Sequence, residues 1–241
     1  MNQSFLKFLK DKDIKVLIFD KDGTLTDTSG LWFEPTVLVL NELLQRNGIQ
    51  LSAENKQLLN DQLGITEQGI IENSIIASGT VRDMLSVLEN FGTIDVKENY
   101  QFVVSYFANY IRVNPEKIIT LGNIKNTLEC LKREGFLLAL ITNDSLLPTE
   151  AVLDVTQIKS LFDFIGTNDD FPAKPSNKSI KAICEKFKVS SEQLIYIGDS
   201  IVDEEFSKWT AGFIAVTNDV EDKEQFSSAI LKVKSIEELY E

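Results

Sequence analysis

The 241-residue chain carries 24 Lys and Arg against 37 Asp and Glu, a formal charge of −13, with 43% hydrophobic residues and no histidine. That acidity, with the lysines scattered rather than grouped, argues against a nucleic-acid backbone or an anionic membrane as the main partner. The missing histidine removes Ser-His-Asp and Cys-His catalysis, imidazole zinc sites and phosphohistidine chemistry, and leaves acid–base work to carboxylates, lysine or tyrosine.

Near the start, Lys7, Lys10, Asp11, Lys12 and Asp13 interrupt any apolar leader, and no stretch is apolar enough to span a membrane, so the expected location is cytoplasmic. The first strand is Val16-Leu17-Ile18-Phe19, which runs directly into Asp20-Lys21-Asp22-Gly23-Thr24. Alternation along an extended chain puts Asp20 and Asp22 on one side and turns Lys21 to the other, where it is expected to be peripheral.

Residues 30–114 show helical spacing and no convincing strand: Val37, Leu40, Leu43 and Leu44 form one stripe, and Met84, Leu85, Leu88 and Phe91 another. Phe102 to Phe107 fit a helix in that context. The expectation is an all-helical insertion with Trp32 and Phe33 in its core. Its most loop-like stretch, Asn73 to Arg82, offers Ser78, Thr80 and Arg82 as candidates for contacting a substrate.

From about residue 120 strands and helices alternate. A helix with Ile124, Leu128 and Leu131 stops at Gly135, and Phe136 to Ile141 runs apolar without alternation, as a strand buried on both faces does. Short strands follow at Phe162 to Gly166, Leu194 to Gly198 and Phe213 to Val216. Between them lie a helix from about Ser176, with Ile180, Ile183, Cys184 and Phe187, and another with Val202, Phe206 and Trp209. The two cysteines, Cys130 and Cys184, show no metal-ligand spacing and are expected as free buried thiols. Such alternation implies an α/β fold, a Rossmann-like parallel sheet flanked by helices, in which ligands sit beyond the carboxyl ends of the strands.

Polar residues gather at those strand ends: Asp20 and Asp22 after the first, Thr142-Asn143-Asp144 after the second, Lys174-Pro175 before a helix, and Asp199 with Asp203 after the strand at 194–198. Two carboxylates about 4 Å apart repel by roughly 4 kcal/mol at an effective dielectric near 20. Four of them need a counter-charge, and an oxygen-only donor set points to Mg²⁺.

These four elements, Asp20-x-Asp22-Gly-Thr-Leu, Thr142-Asn143, Lys174-Pro175 and Gly198-Asp199-Ser200 with Asp203, resemble in order and placement the haloacid dehalogenase superfamily, with phosphoglycolate-phosphatase-like members as the nearest likeness. The resemblance implies a core domain of residues 1–29 and 115–241 and a helical cap of residues 30–114. It also implies a Mg²⁺-dependent phosphatase acting on a small phosphorylated metabolite, as a monomer or homodimer. In such an enzyme Asp20 is the nucleophile that becomes an aspartyl-phosphate, and Asp22 is the acid and base. Thr142, Asn143, Lys174 and Gly23 serve the phosphoryl group; Asp20, Asp22 (through its carbonyl) and Asp199 hold the metal; Asp203 supports it or anchors Lys174. Two other readings share these motifs: a sugar-phosphate mutase of the same fold, and a non-catalytic phosphate-binding or protein-interaction module.

Overall fold

The structure is a computed structural model that describes residues 3–222 and 224–240. In chain order it runs α1 (Gln3–Asp11), β1 (Val16–Phe19), α2 (Thr28–Arg46), α3 (Ala53–Leu63), β2 (Ile65–Thr66), β3 (Gly69–Ile70), α4 (Ile75–Ser78), α5 (Val81–Leu88) and α6 (Val96–Val113). It continues with α7 (Ile124–Arg133), β4 (Leu137–Ile141), α8 (Leu146–Val155), β5 (Phe164–Gly166), α9 (Lys178–Phe187), β6 (Leu194–Gly198), α10 (Ile201–Ser207), β7 (Gly212–Val216) and β8 (Ala229–Val233). The chain divides into two compact units, Met1–Asp27 with Thr120–Thr142 and Thr156–Glu241, and Thr28–Ile119 with Asn143–Val155.

The first unit is built on a six-stranded sheet of order β5-β4-β1-β6-β7-β8 with every neighbouring pair parallel. Its central strand, Val16-Leu17-Ile18-Phe19, is buried at all four positions, which is what an unbroken apolar run between two neighbours requires. On one face Val16, Ile18, Ala139, Ile141, Tyr196, Phe213 and Ala215 form a cluster closed by Ile180 and Ile183 of α9, Phe206 of α10 and Phe226. β8 extends the sheet at its edge; its AILKV sequence is only partly buried, so it lacks the apolar run that marks the inner strands.

The register aligns the strand ends. Phe19 lies level with Leu140 on β4 and with Ile197 on β6, so Asp20, one residue further, stands level with Ile141 and Gly198. The amide of Asp20 still donates to the Ile197 carbonyl at 2.9 Å, which holds the first residue past β1 in line with the sheet.

The second unit is mainly helical around Leu31, Trp32, Leu43, Met84, Leu85, Val103 and Phe107. Trp32 packs edge-on against Phe107 with ring centroids 5.3 Å apart, in the core as expected. Three details differ from the sequence reading. Ile65–Thr66 and Gly69–Ile70 pair as a minimal antiparallel hairpin, too short to leave a periodic signal, so the insertion is not purely helical. The stretch expected as a loop, Asn73 to Arg82, holds α4 and the start of α5, capped by Ser74 and Thr80. And α8, expected with the rest of 115–241, belongs by compactness to this unit, where Ala151 and Val152 join its core.

Candidate active site

The carboxyl ends of β1 and β6, with the segment before α9, bring a buried cluster of charges together in the first unit. Lys174 Nζ donates to Asp20 Oδ1 at 2.5 Å, to Asp203 Oδ1 at 2.7 Å and to Tyr196 Oη at 3.0 Å. Tyr196 in turn donates to Asp203 Oδ1 at 2.8 Å. The other oxygen of Asp203, Oδ2, accepts from the Asp199 amide at 3.2 Å and from the Ser200 amide and hydroxyl at 3.1 and 2.7 Å. Ser200 is the N-cap of α10, and its hydroxyl accepts from the Asp203 amide at 3.1 Å, so the helix start itself fixes Asp203.

Asp203 therefore has five donors on two oxygens, more than the roughly four lone-pair sites of a carboxylate, so at least one is shared. Its ion pair with Lys174 is the contact that anchoring the lysine, one of the two roles the sequence left open, requires. Asp199 points its Oδ1 to Thr24 Oγ1 at 3.0 Å. Oxygens of Asp20, Asp199 and Asp203 lie within 4.8 Å of one another.

The electrostatics follow from burial and neighbours. Burial pushes the Asp20 carboxyl up, and despite the opposing Lys174 ammonium the nearby Asp203 and Asp22 leave it at about 7. Asp199 is raised well above the usual carboxylate range by burial, then by Asp203 and Asp20. For Asp203, burial also works upward, but Lys174 and the hydrogen bonds from Lys174, Ser200 and Tyr196 outweigh it and hold the group below the usual range. Lys174 is desolvated, yet Asp20 and Asp203 more than compensate and raise it. The Tyr196 hydroxyl is pushed far up by burial, then by Asp203.

A charge count tests whether a metal fits. With Asp20, Asp199 and Asp203 all ionised, the single ammonium of Lys174 cancels one charge and two negatives remain in a buried space. Uncompensated buried charge is costly. A divalent cation supplies the missing two charges, and a donor set of carboxylate oxygens without sulfur or imidazole suits Mg²⁺. Asp20 and Asp199 are the carboxylates left to hold it. Gly23 fits the same picture: its φ is +81°, and a Cβ there would stand 1.9 Å from Asp199 Oδ2. Only a residue without a side chain lets the backbone after Asp22 come so close to that carboxylate.

The other expected residues fall as follows. Asp22 sits on the turn after β1, its Oδ2 paired with Lys21 at 2.5 Å. Lys21 is thus not peripheral, as alternation suggested: it is fully buried. Alternation fails because the strand stops at Phe19 and the Lys21 carbonyl opens a tight turn by accepting from the amides of Leu25 and Thr26. Thr142 is buried at the end of β4, next to β1 in the sheet, with its amide on the Gly166 carbonyl at 3.1 Å.

In the second unit, the Asn143 amide donates to the Ser78 carbonyl at 2.8 Å. Thr80 spends its hydroxyl in a capping box with Asp83, and the exposed Arg82 lays its guanidinium 4.3 Å from the centre of the Tyr100 ring. Of the cysteines, Cys130 is buried as expected but Cys184 is only half-buried.

Sequence reasoning missed Tyr196, and it held Thr24 and Ser200 within the motifs without giving either a role. Ser200-x-x-Asp203 is a legible capping box. Tyr196 is two residues before Gly198 on the same strand face, a position that reads as apolar core unless the neighbouring carboxylate is already known.

Residues 17–213 match the haloacid dehalogenase-like hydrolase family. This chain belongs to the haloacid dehalogenase-like hydrolases. Within that family it is 28% identical over 193 residues to the phosphoglycolate phosphatase of Vibrio cholerae, covering 78% of this chain and 77% of the relative. Its fold is similar to that of CbbY from Rhodobacter sphaeroides in complex with phosphate, with a TM-score of 0.67 at 20% identity over 94% of this chain and 96% of that one. A haloacid dehalogenase-type phosphatase from Thermococcus onnurineus superposes with a TM-score of 0.65 at 20% identity, again over 94% and 96%. Among the described residues no helix is long and apolar enough to cross a membrane.

Proposed function

We propose that this hydrolase cleaves a small phosphomonoester in two steps through a phosphorylated Asp20, with Mg²⁺ as cofactor. The observation that carries the reading is the placement of the Asp20 carboxylate: past the central strand, bonded to a buried Lys174, and within reach of carboxylates whose summed charge exceeds that lysine by two. Lys174 is itself tied to Asp203 and Tyr196, so the ammonium stays beside the nucleophile instead of swinging into solvent.

In the first step an Asp20 oxygen attacks phosphorus, a P–O bond to Asp20 forms, the bond to the leaving oxygen breaks, and Asp22 gives that oxygen its proton. In the second, Asp22 takes a proton from water as the water attacks phosphorus and frees the Asp20 carboxylate. Mg²⁺ held by Asp20 and Asp199, when bound, offsets their charge and lets an anionic substrate approach. Thr142, buried at the end of the adjacent strand, is the candidate donor to the phosphoryl oxygens.

The names of the relatives make 2-phosphoglycolate the first ester to try. The test is phosphate release from a panel of phosphorylated metabolites, with Mg²⁺ and with chelator, alongside Asp20→Asn. Release that needs the ion and falls by several orders of magnitude in the variant supports the reading. Near-normal release by Asp20→Asn overturns it. Sugar phosphates in the same panel separate hydrolysis from mutase chemistry, since a mutase returns an isomer and little free phosphate.

A further inference from the structure

We infer that Lys21 is a positioning residue for Asp22, fixing which of its oxygens handles the proton. The inference rests on the acid–base reading of Asp22 above. Lys21 lies between the two aspartates, is fully buried, and places its ammonium 2.5 Å from Asp22 Oδ2. A buried ammonium needs close hydrogen-bond acceptors. Asp22 Oδ2 is one, able to accept whether or not the other oxygen bears a proton, on a side chain that keeps some access to solvent with an exposure of 15%.

The local backbone makes the pair rigid. The carbonyl of Lys21 accepts from the amides of Leu25 at 2.8 Å and Thr26 at 3.1 Å, and the Gly23 amide donates to the Thr26 carbonyl at 2.7 Å. The turn is therefore closed on both sides of Asp22, and the Thr26 hydroxyl stands 3.5 Å from Asp22 Oδ1. The positive charge beside Oδ2 disfavours a proton there, so Oδ1, beside the neutral Thr26 hydroxyl, is the oxygen that carries the proton to the departing ester oxygen and takes it back from water. Lys21 touches neither in this scheme; it acts by setting the carboxylate plane. Proton delivery matters most when the leaving group is a poor one. A misplaced acid of this kind costs on the order of 10²-fold.

That dependence supplies the experiment. The full-length protein with Mg²⁺ is assayed on a series of phosphomonoesters from p-nitrophenyl phosphate to alkyl phosphates, as wild type, Lys21→Met, Lys21→Gln, Asp22→Asn and the double variant Lys21→Met with Asp22→Asn. Lys21→Met is expected to lose about 10²-fold in kcat on the alkyl esters and at least tenfold less than that on p-nitrophenyl phosphate. Lys21→Gln, which keeps a donor toward Oδ2, is expected to fall between. The double variant is expected to be no worse than Asp22→Asn alone.

Equal loss across the series, or none, in Lys21→Met while Asp22→Asn is steep overturns the role of Lys21 and leaves that of Asp22 standing. A flat profile for Asp22→Asn overturns the acid reading, and the inference with it. If Lys21→Met does not fold, as judged by its thermal transition, Lys21→Gln carries the same comparison.

Discussion

Gly198 and Asp203 are packed so closely that a Cβ on the glycine would lie 2.6 Å from the Asp203 Cβ and 2.7 Å from its Oδ2. The last residue of β6 thus gives up its side chain so that the first turn of α10 can lay a carboxylate against the strand end. The substitution Gly198→Ala is expected to push Asp203 away from Lys174. Overpacking of this sort costs about 1–3 kcal/mol, which thermal melting reads directly. A fall in kcat of at least tenfold is expected with it, because Lys174 loses its anchor; a fully active Gly198→Ala would show that Asp203 has no part in holding the lysine.

Gly23→Ala acts on the other carboxylate. The positive φ alone disfavours an L residue by roughly 1–2 kcal/mol, and the added methyl collides with Asp199. Mg²⁺ affinity is expected to weaken more than tenfold by titration calorimetry. Unchanged affinity would remove Asp199 from the ion's ligands.

Tyr196→Phe removes the hydroxyl that bridges Lys174 and Asp203 and leaves the ring packed against Phe206, whose centroid is 4.9 Å away. The loss of these two buried hydrogen bonds is expected to cost about 1–3 kcal/mol. Turnover is expected to fall three- to tenfold without a change in KM, since Lys174 keeps its two carboxylate partners. A loss as large as that of Lys174→Ala would promote the hydroxyl to a direct part in the chemistry.

The raised Asp20 and Asp199 carboxyls give a pH signature. An acid whose folded pKa lies above its unfolded value is easier to ionise in the unfolded chain. For Asp20 the metal-free fold therefore loses stability as pH climbs from the ordinary carboxylate range through about 7, by at most about 4 kcal/mol. Asp203, held low, gives the opposite slope and Lys174, held high, the same slope, but their windows lie below the carboxylate range and above the lysine range respectively, outside pH 5 to 8. Between pH 5 and 8 the chelator-treated protein is thus expected to melt lower as pH rises. With Mg²⁺ the trend should flatten or reverse, because binding displaces the protons. A melting temperature that rises with pH in chelator would contradict the charge count.

Much of this was legible in the sequence where burial leaves a period. β1, β4, β6 and β7 appear as apolar runs because parallel inner strands are covered on both faces, and the charges that follow them sit where the register puts them. β8 was not legible: an edge strand reading AILKV has neither a run nor clean alternation. Lys21 was placed wrongly because alternation was carried two residues past the end of a four-residue strand. Tyr196 was hidden for the reverse reason, since a tyrosine within an apolar strand looks like core until the carboxylate beneath its hydroxyl is located. Thr80 offered a free hydroxyl only as long as its capping partner Asp83 went unnoticed.

The most direct test is to quench the enzyme in acid during turnover of a phosphoryl-labelled ester with Mg²⁺ and look for covalent phosphate. Label bound to the Asp20 peptide, stable in acid, released by hydroxylamine as an acyl phosphate should be, and absent from Asp20→Asn, is the expected result. Steady turnover with no protein-bound label, or label that persists in Asp20→Asn, would contradict it.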